Sequence, residues 1–179
     1  MLDRGAEDLV NAHVTGGFKD SFHEIEPADS SYRVLFSADW IWKDAGASGS
    51  VELDWRRVSD DAGLADWEAR WAQGDEDAKN HPRQFPAVLL EKDDVEFWLA
   101  YVDGEFVGGV LLNATPPVVG ISNLFSVGGF GEAVWMDLPL LIAQCYPGLD
   151  MVGYERGDDL EHALGAGFAS VGRLRIWVK

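Results

Sequence analysis

The segment from residue 97 to residue 112 narrows the fold most. An apolar run at 97–102 meets Asp103-Gly104, and a second apolar run follows at 106–112. Two strand-like runs joined by an Asp-Gly dipeptide form a tight antiparallel hairpin, because the mirror-image turn needs positive φ at both central residues. Pro116-Pro117 then interrupts the chain, and residues 118–125 read as a third, almost wholly apolar strand. Val134, Leu138, Leu141 and Cys145 recur at helical spacing, with Trp135 and Ile142 beside them. Pro139 falls inside that pattern. The helix therefore starts either at Asp137, with Pro139 in its first turn, or near Gly131 with a kink. Pro147-Gly148 ends it. Residues 149–154 read as a strand, Asp158 as the cap of a short helix reaching Leu164, and residues 169–178 as a last strand. From residue 97 the order is β-β-β-α-β-α-β.

The first half is less regular. Leu9, Val10 and Val14 suit a short helix stopped by Gly16-Gly17, and residues 32–37 suit a strand that Trp40-Ile41-Trp42 extends. Residues 43–50 have the composition of a turn. Val51, Leu53 and Trp55 alternate with acidic and basic residues, the period of a half-buried strand, so a hairpin across this turn is expected. Ser59 suits a helix N-cap, followed by Asp60 and Asp61, with Leu64, Trp67 and Trp71 on one face and Gly74 at the end. A polar loop at 75–86 and a short element at 88–90 complete this half.

The 179 residues suit one domain, and the 47% apolar content supplies a sizeable core. With 14 basic against 31 acidic side chains, the net charge is −17. Nucleic acids and anionic membranes need a positive footprint, so both are excluded as expected partners. The acidity suits a cationic acceptor, or simply a well-solvated surface. The single cysteine, Cys145, can form no internal disulfide, and its place on an apolar helical stripe suggests a buried thiol. No apolar leader stands in residues 1–20, and the charge-free stretch at 106–131 is broken by polar residues, prolines and glycines. A cytoplasmic protein is the expectation. His13, His23, His81 and His162 have no zinc-like spacing, so no metal is expected. Trp40, Trp42 and Trp55, with Trp67 and Trp71, could together form an aromatic wall for a cationic or sugar-like ligand, or fill core volume.

The chemistry concentrates where the third strand meets the helix. Ser126, Val127, Gly128, Gly129, Phe130 and Gly131 separate them, and nothing acidic lies between Glu105 and Glu132. Backbone N–H groups at a glycine-led helix start can hold phosphate oxygens, and the helix dipole favours their charge. The same glycines also serve a turn that only redirects the chain.

This element order, with its Gly-x-Gly turn, resembles the GNAT superfamily of N-acetyltransferases over about residues 50–179, most specifically over 97–178. That family carries Arg/Gln-x-x-Gly-x-Gly/Ala ahead of the helix. Here Gly129 and Gly131 match both glycine positions and Ser126 replaces Arg/Gln. The family's late helix leading into Gly-Phe is similar to Ala163-Leu164-Gly165-Ala166-Gly167-Phe168. Ala163 stands where the family often has a tyrosine that protonates the departing thiolate.

The resemblance implies an α+β fold: a mixed, mostly antiparallel sheet flanked by helices, formed by residues 51–179, with residues 1–50 as an N-terminal extension. It implies acetyl-CoA, or another acyl-CoA, along Leu124, Phe125, Ser126, Val127, Gly128, Gly129, Phe130 and Gly131. It also implies transfer to a primary amine of a small molecule or peptide. Tyr154 and Glu155, at the end of the strand that would splay from 121–126, are the candidate acid and base. Asn123 and Trp55 are candidate substrate contacts. A homodimer is left open. Ser126 and Ala163 equally suit a catalytically inactive ligand-binding or interaction module of the same fold.

Overall fold

The computed structural model describes residues 16–73 and 82–179. The expected helix at Leu9–Val14 and the stop at Gly74 lie outside them. Eight strands form one sheet: β1 (Phe18–Asp20), β2 (Arg33–Lys43), β3 (Asp54–Arg57), β4 (Val95–Val102), β5 (Glu105–Thr115), β6 (Val118–Ser126), β7 (Asp150–Glu155) and β8 (Ala169–Val178). Among the described residues three α-helices accompany them: α1 (Asp61–Trp71), α2 (Gly131–Cys145) and α3 (Gly157–Gly165). A short 3-10 helix spans Ala87–Glu91.

The sheet order is β1-β8-β2-β7-β6-β5-β4-β3. Every neighbouring pair is antiparallel except β6 with β7, which run parallel. The fold is thus the expected α+β sheet flanked by helices. The β4–β5 hairpin turns at Asp103 and Gly104, with φ of 51° and 85°, as its dipeptide requires.

Four local expectations are corrected, the last of them at Cys145 below. No hairpin joins β2 to β3, because β2 pairs with β7 and β8 while β3 pairs with β4. The alternation at 51–55 was compatible with either partner, and only long-range packing chose between them. β2, from within the 1–50 segment, lies well inside the sheet. The cap of α1 is Asp60, one residue later than Ser59: its carboxylate accepts the Gly63 N–H at 2.8 Å. α3 begins at Gly157 and has no side-chain cap, so Asp158 is a first-turn residue.

Each helix buries a face of its own. Leu64 and Trp67 of α1 pack on Phe97 and Leu99 of β4, and Phe125 of β6 meets the Trp67 ring at 5.3 Å. On the opposite face Trp135, Leu138, Leu141 and Ile142 of α2 join Val110, Leu112, Val119, Ile121 and Met151, together with Ala163 of α3. α2 starts at Gly131, and Pro139 lies inside it. Cys145 is exposed rather than buried, since it falls on the last turn where the stripe has run past the sheet.

Asp137 ties the β2–β3 connection to α2. Although it is almost fully buried, its carboxylate accepts the Glu52 N–H at 2.7 Å, the Leu53 N–H at 3.1 Å and the Trp55 Nε1–H at 2.8 Å. Charge-assisted bonds to three donors offset the desolvation of the carboxylate. Asp137→Ala leaves the buried Leu53 N–H and the part-buried Glu52 and Trp55 donors without their acceptor and should cost about 2 kcal/mol in urea unfolding, with an unchanged m-value.

Candidate active site

The parallel contact between β6 and β7 lasts three residues: Val118 opposite Asp150, Val119 opposite Met151, and Gly120 opposite Val152. Beyond Gly120 and Val152 the two strands have no mutual register. The cause is visible on the other side of β6. Gly109 of β5 faces Phe125 while Leu111 faces Ser122, so β6 carries one extra residue there. Asn123 takes up that extra residue at φ 48°, a left-handed conformation that asparagine tolerates. The bulge bends β6 away from β7 and leaves the two strand ends open. Asn123 is exposed at the bulge.

β6 runs directly into the glycine turn. Gly128 and Gly129 have φ of 61° and 81°, so the turn demands residues without a Cβ. The Val127 N–H is spent on Val107 O at 3.0 Å, and the Phe130 N–H on Val127 O at 3.1 Å. The first bond inside α2 runs from Val134 N–H to Phe130 O, and no side chain caps this helix. The amides of the first turn therefore have no partner within the helix. Around Gly129 there is open space. A Gly-Gly bend, free amides and the positive helix end fit a phosphate group in chemistry and in room. Leu124 packs into the core on the α2 face while Phe125 faces α1, so these two position the turn through packing.

Gly131 is needed for a different reason. A Cβ there would lie 2.7 Å from His162 Cε1 and 3.3 Å from Ser126 Oγ. The α3 histidine thus packs directly against the first residue of α2. A second contact ties the helices together, from Trp135 Nε1–H to Asp159 Oδ1 at 3.3 Å. Neither tie could be read from local pattern, although His162 and Asp159 are spaced to share a face of α3.

Tyr154 and Glu155 both stand in the open end of β7, but strand alternation sends them to opposite faces. The Tyr154 ring meets Trp40 edge-on at 5.6 Å, and the Lys19 ammonium lies 4.1 Å from its centre. Glu155 shares its side with Met151, which is in the core beneath α2 and α3. Burial pushes the Glu155 carboxyl up to about 8; the nearby Asp159 carboxylate adds to the rise and Arg156 opposes it. The structure therefore groups Glu155 with the α2–α3 face and Asp159, and Tyr154 with Trp40 and Lys19.

Trp55 is half-buried, its Nε1–H held by Asp137. Trp40 and Trp42 lie on β2, Trp55 on β3 at the far edge of the sheet, and Trp67 and Trp71 stack on each other in the α1 cluster, so the five form no common wall. Ala163 is fully buried in the core. Among the described residues no group of three or more His, Cys, Asp or Glu side chains is arranged to hold a metal ion, and no helix is long and apolar enough to cross a membrane.

No family model matches the sequence, and no curated protein matches it. Solved structures do match. A putative acetyltransferase of the GNAT family from Novosphingobium aromaticivorans superposes with a TM-score of 0.58 at 13% identity, over 98% of this chain and 81% of that one. A GCN5-related N-acetyltransferase from Kribbella flavida gives 0.54 at 13% identity, over 83% of this chain and 60% of that one. The chain has the GNAT fold. A conserved protein of unknown function from Staphylococcus epidermidis shares the architecture, with a TM-score of 0.66 at 14% identity over 91% of this chain and 71% of its own.

Two outcomes follow from the geometry. Gly131→Ala should lower the melting temperature, and His162→Ala in the same chain should restore part of the loss, giving a non-additive double-mutant cycle. The second concerns pH. The folded Glu155 carboxyl holds its proton up to about 8, against an ordinary value of 4.5. The folded state therefore binds more protons than the unfolded state between these values. The stabilisation is complete below the lower value and is lost as pH rises through the upper one. Glu155→Gln should remove this fall, so its melting temperature should overtake that of the wild type by about pH 9.

Proposed function

We propose that this protein is an acyl-CoA-dependent N-acyltransferase acting on a primary amine. The observation that carries the reading is the three-residue β6–β7 contact, which opens directly beside a glycine turn at an uncapped helix start. The GNAT fold supports it. Acetyl-CoA would supply an acyl group already activated as a thioester, so a neutral amine is nucleophile enough.

The residues of this chain would divide the remaining work. The amides of Gly128, Gly129 and Gly131 would bind phosphate oxygens, and Leu124 and Phe125 would hold the turn in place. Ser126 offers only a hydroxyl where the family has Arg or Gln, so binding there relies on backbone donors and the helix dipole. The backbone N–H groups of β6 beyond the bulge would polarise a carbonyl oxygen. Glu155 would accept the proton that the amine nitrogen must lose, at a carboxylate oxygen whose raised affinity for protons matches an ammonium donor. Because the carboxyl titrates at about 8, activity should rise with pH to a plateau above that value. Protonated Glu155 could in turn deliver the proton to a departing sulfur, work that Ala163, a buried methyl, cannot do.

Ala163 and Ser126 also favour a second reading, a non-catalytic module of the same fold. Calorimetric titration with acetyl-CoA, followed by amine-dependent release of free thiol, separates the two. The transferase reading expects saturable binding and thiol release. Gly129→Val should weaken binding at least ~10-fold, because valine disfavours the φ of 81° found there. Binding without thiol release for any amine would favour the module, and no binding by folded protein would defeat both uses of the turn.

A further inference from the structure

The sheet face opposite α2 and α3 carries a second built feature. Trp40 of β2 stands directly across from Gly172 of β8 and Tyr154 of β7. Its Nε1–H is held by Ser21 O at 2.9 Å, so the indole is fixed rather than free to swing. Beside it lies a half-open surface hollow of about 300 Å³ lined by Ser21, Phe22, Trp40, Val171, Gly172 and Arg173. The register between β2 and β8 slips at this point and leaves Val171 without a partner residue. Val171 and Phe22 are 62% and 70% exposed.

The segment bearing Phe22 is anchored. The buried Asp20 carboxylate accepts the Glu24 and Ile25 N–H groups at 3.1 and 3.0 Å and pairs with Arg175 at 3.1 Å. Two large apolar side chains are thus held open to solvent around a preformed hollow. Exposed apolar groups rimming a pocket of this size suit a small ligand with an apolar body.

Arg173 lines the hollow; Lys19 does not, but stands against the Trp40 ring that does. The Lys19 ammonium sits 5.2 Å from the centre of the Trp40 ring and 4.1 Å from that of Tyr154. Among the described residues it forms no ion pair, and neither does Arg173, in a chain with 31 acidic side chains. The rings fix the ammonium without neutralising it. A carboxylate on the ligand would complete it with a charge-assisted hydrogen bond.

We propose that the hollow beside Trp40 binds a small molecule bearing a carboxylate and a compact apolar group, the body resting against Phe22, Trp40 and Val171 and the carboxylate on Lys19. As a ligand site this stands on its own. That the ligand is the acceptor amine rests on the transferase reading and requires the amine to reach through the β6–β7 opening past Tyr154, because Glu155 lies on the other face of β7. The acceptor is then an amino-acid-like amine rather than the purely cationic one that net charge alone suggests.

Phenylalanine and phenethylamine test this, since they share ring and amine and differ by the carboxylate. Binding to the full chain is followed by tryptophan fluorescence or calorimetry, with and without acetyl-CoA. The expected result is phenylalanine bound about tenfold tighter than phenethylamine, with the preference erased in Lys19→Met. Gly172→Val is the second variant: a Cβ there meets no atom within 4 Å, so the fold tolerates it while the added side chain fills the hollow. It should abolish binding of both probes with an unchanged melting temperature. The proposal is overturned if phenethylamine binds as well as phenylalanine, if the preference survives in Lys19→Met, if Gly172→Val binds normally, or if neither probe binds. Phenylalanine bound without any acetyl-CoA binding would sink the transferase reading and leave the site standing. Acetyl-CoA bound without phenylalanine would do the reverse.

Discussion

One extra residue in β6 organises the functional half of this molecule. A parallel pair of strands normally stays in register because each added residue contributes evenly spaced hydrogen bonds. Here the bulge at Asn123 gives β6 a bend that β7 does not follow, and pairing ends after Gly120. Backbone donors and acceptors of both strands are then available to a ligand instead of to each other. The same bend aims β6 at the Gly128-Gly129 turn, so the open strand ends and the helix start face one region. Loss of sheet hydrogen bonds is tolerated because the packing on both faces of β6 persists past the bulge. Leu124 remains in the α2 core and Phe125 remains against Trp67.

α3 converts this opening into a chemically distinct environment. It is short and has no side-chain cap, so its position depends on what it touches. His162 against Gly131 and Asp159 against Trp135 clamp it to the head of α2. The Glu155 carboxyl, on a half-buried residue, has the α3 carboxylate of Asp159 near it. Burial and like charge act in the same direction, which holds a proton on Glu155 in the physiological range. On the other face, the Lys19 ammonium and the Trp40–Tyr154 pair give a locally cationic, aromatic surface. Net charge averages over both and describes neither.

Much of the C-terminal half was legible from local pattern. The Asp-Gly hairpin, the strand after Pro116-Pro117, the glycine turn and the order β-β-β-α-β-α-β each rest on turn chemistry or short-period alternation, which act between neighbours in the chain. The N-terminal half was less so. Val51, Leu53 and Trp55 alternate like a hairpin strand, but the partner of β3 is β4, forty residues on, and β2 finds its partners near the end of the chain. Alternation says that a strand has one buried face and says nothing about which edge it joins. Asp60 displaced Ser59 as the cap because both are good acceptors and only backbone conformation decides between them.

The candidate site divides along the same line. Glycine spacing located the sharp turn ahead of α2, since the required backbone conformations are local properties of those residues. Tyr154 and Glu155 were legible as neighbours at a strand end. Only the tertiary structure decided that they serve opposite faces in different company, that Glu155 is desolvated beneath α3, and that Lys19 from the first strand reaches Tyr154 near the last. Proton affinity and charge pairing depend on groups distant in the chain, and no pattern of adjacent residues encodes those distances.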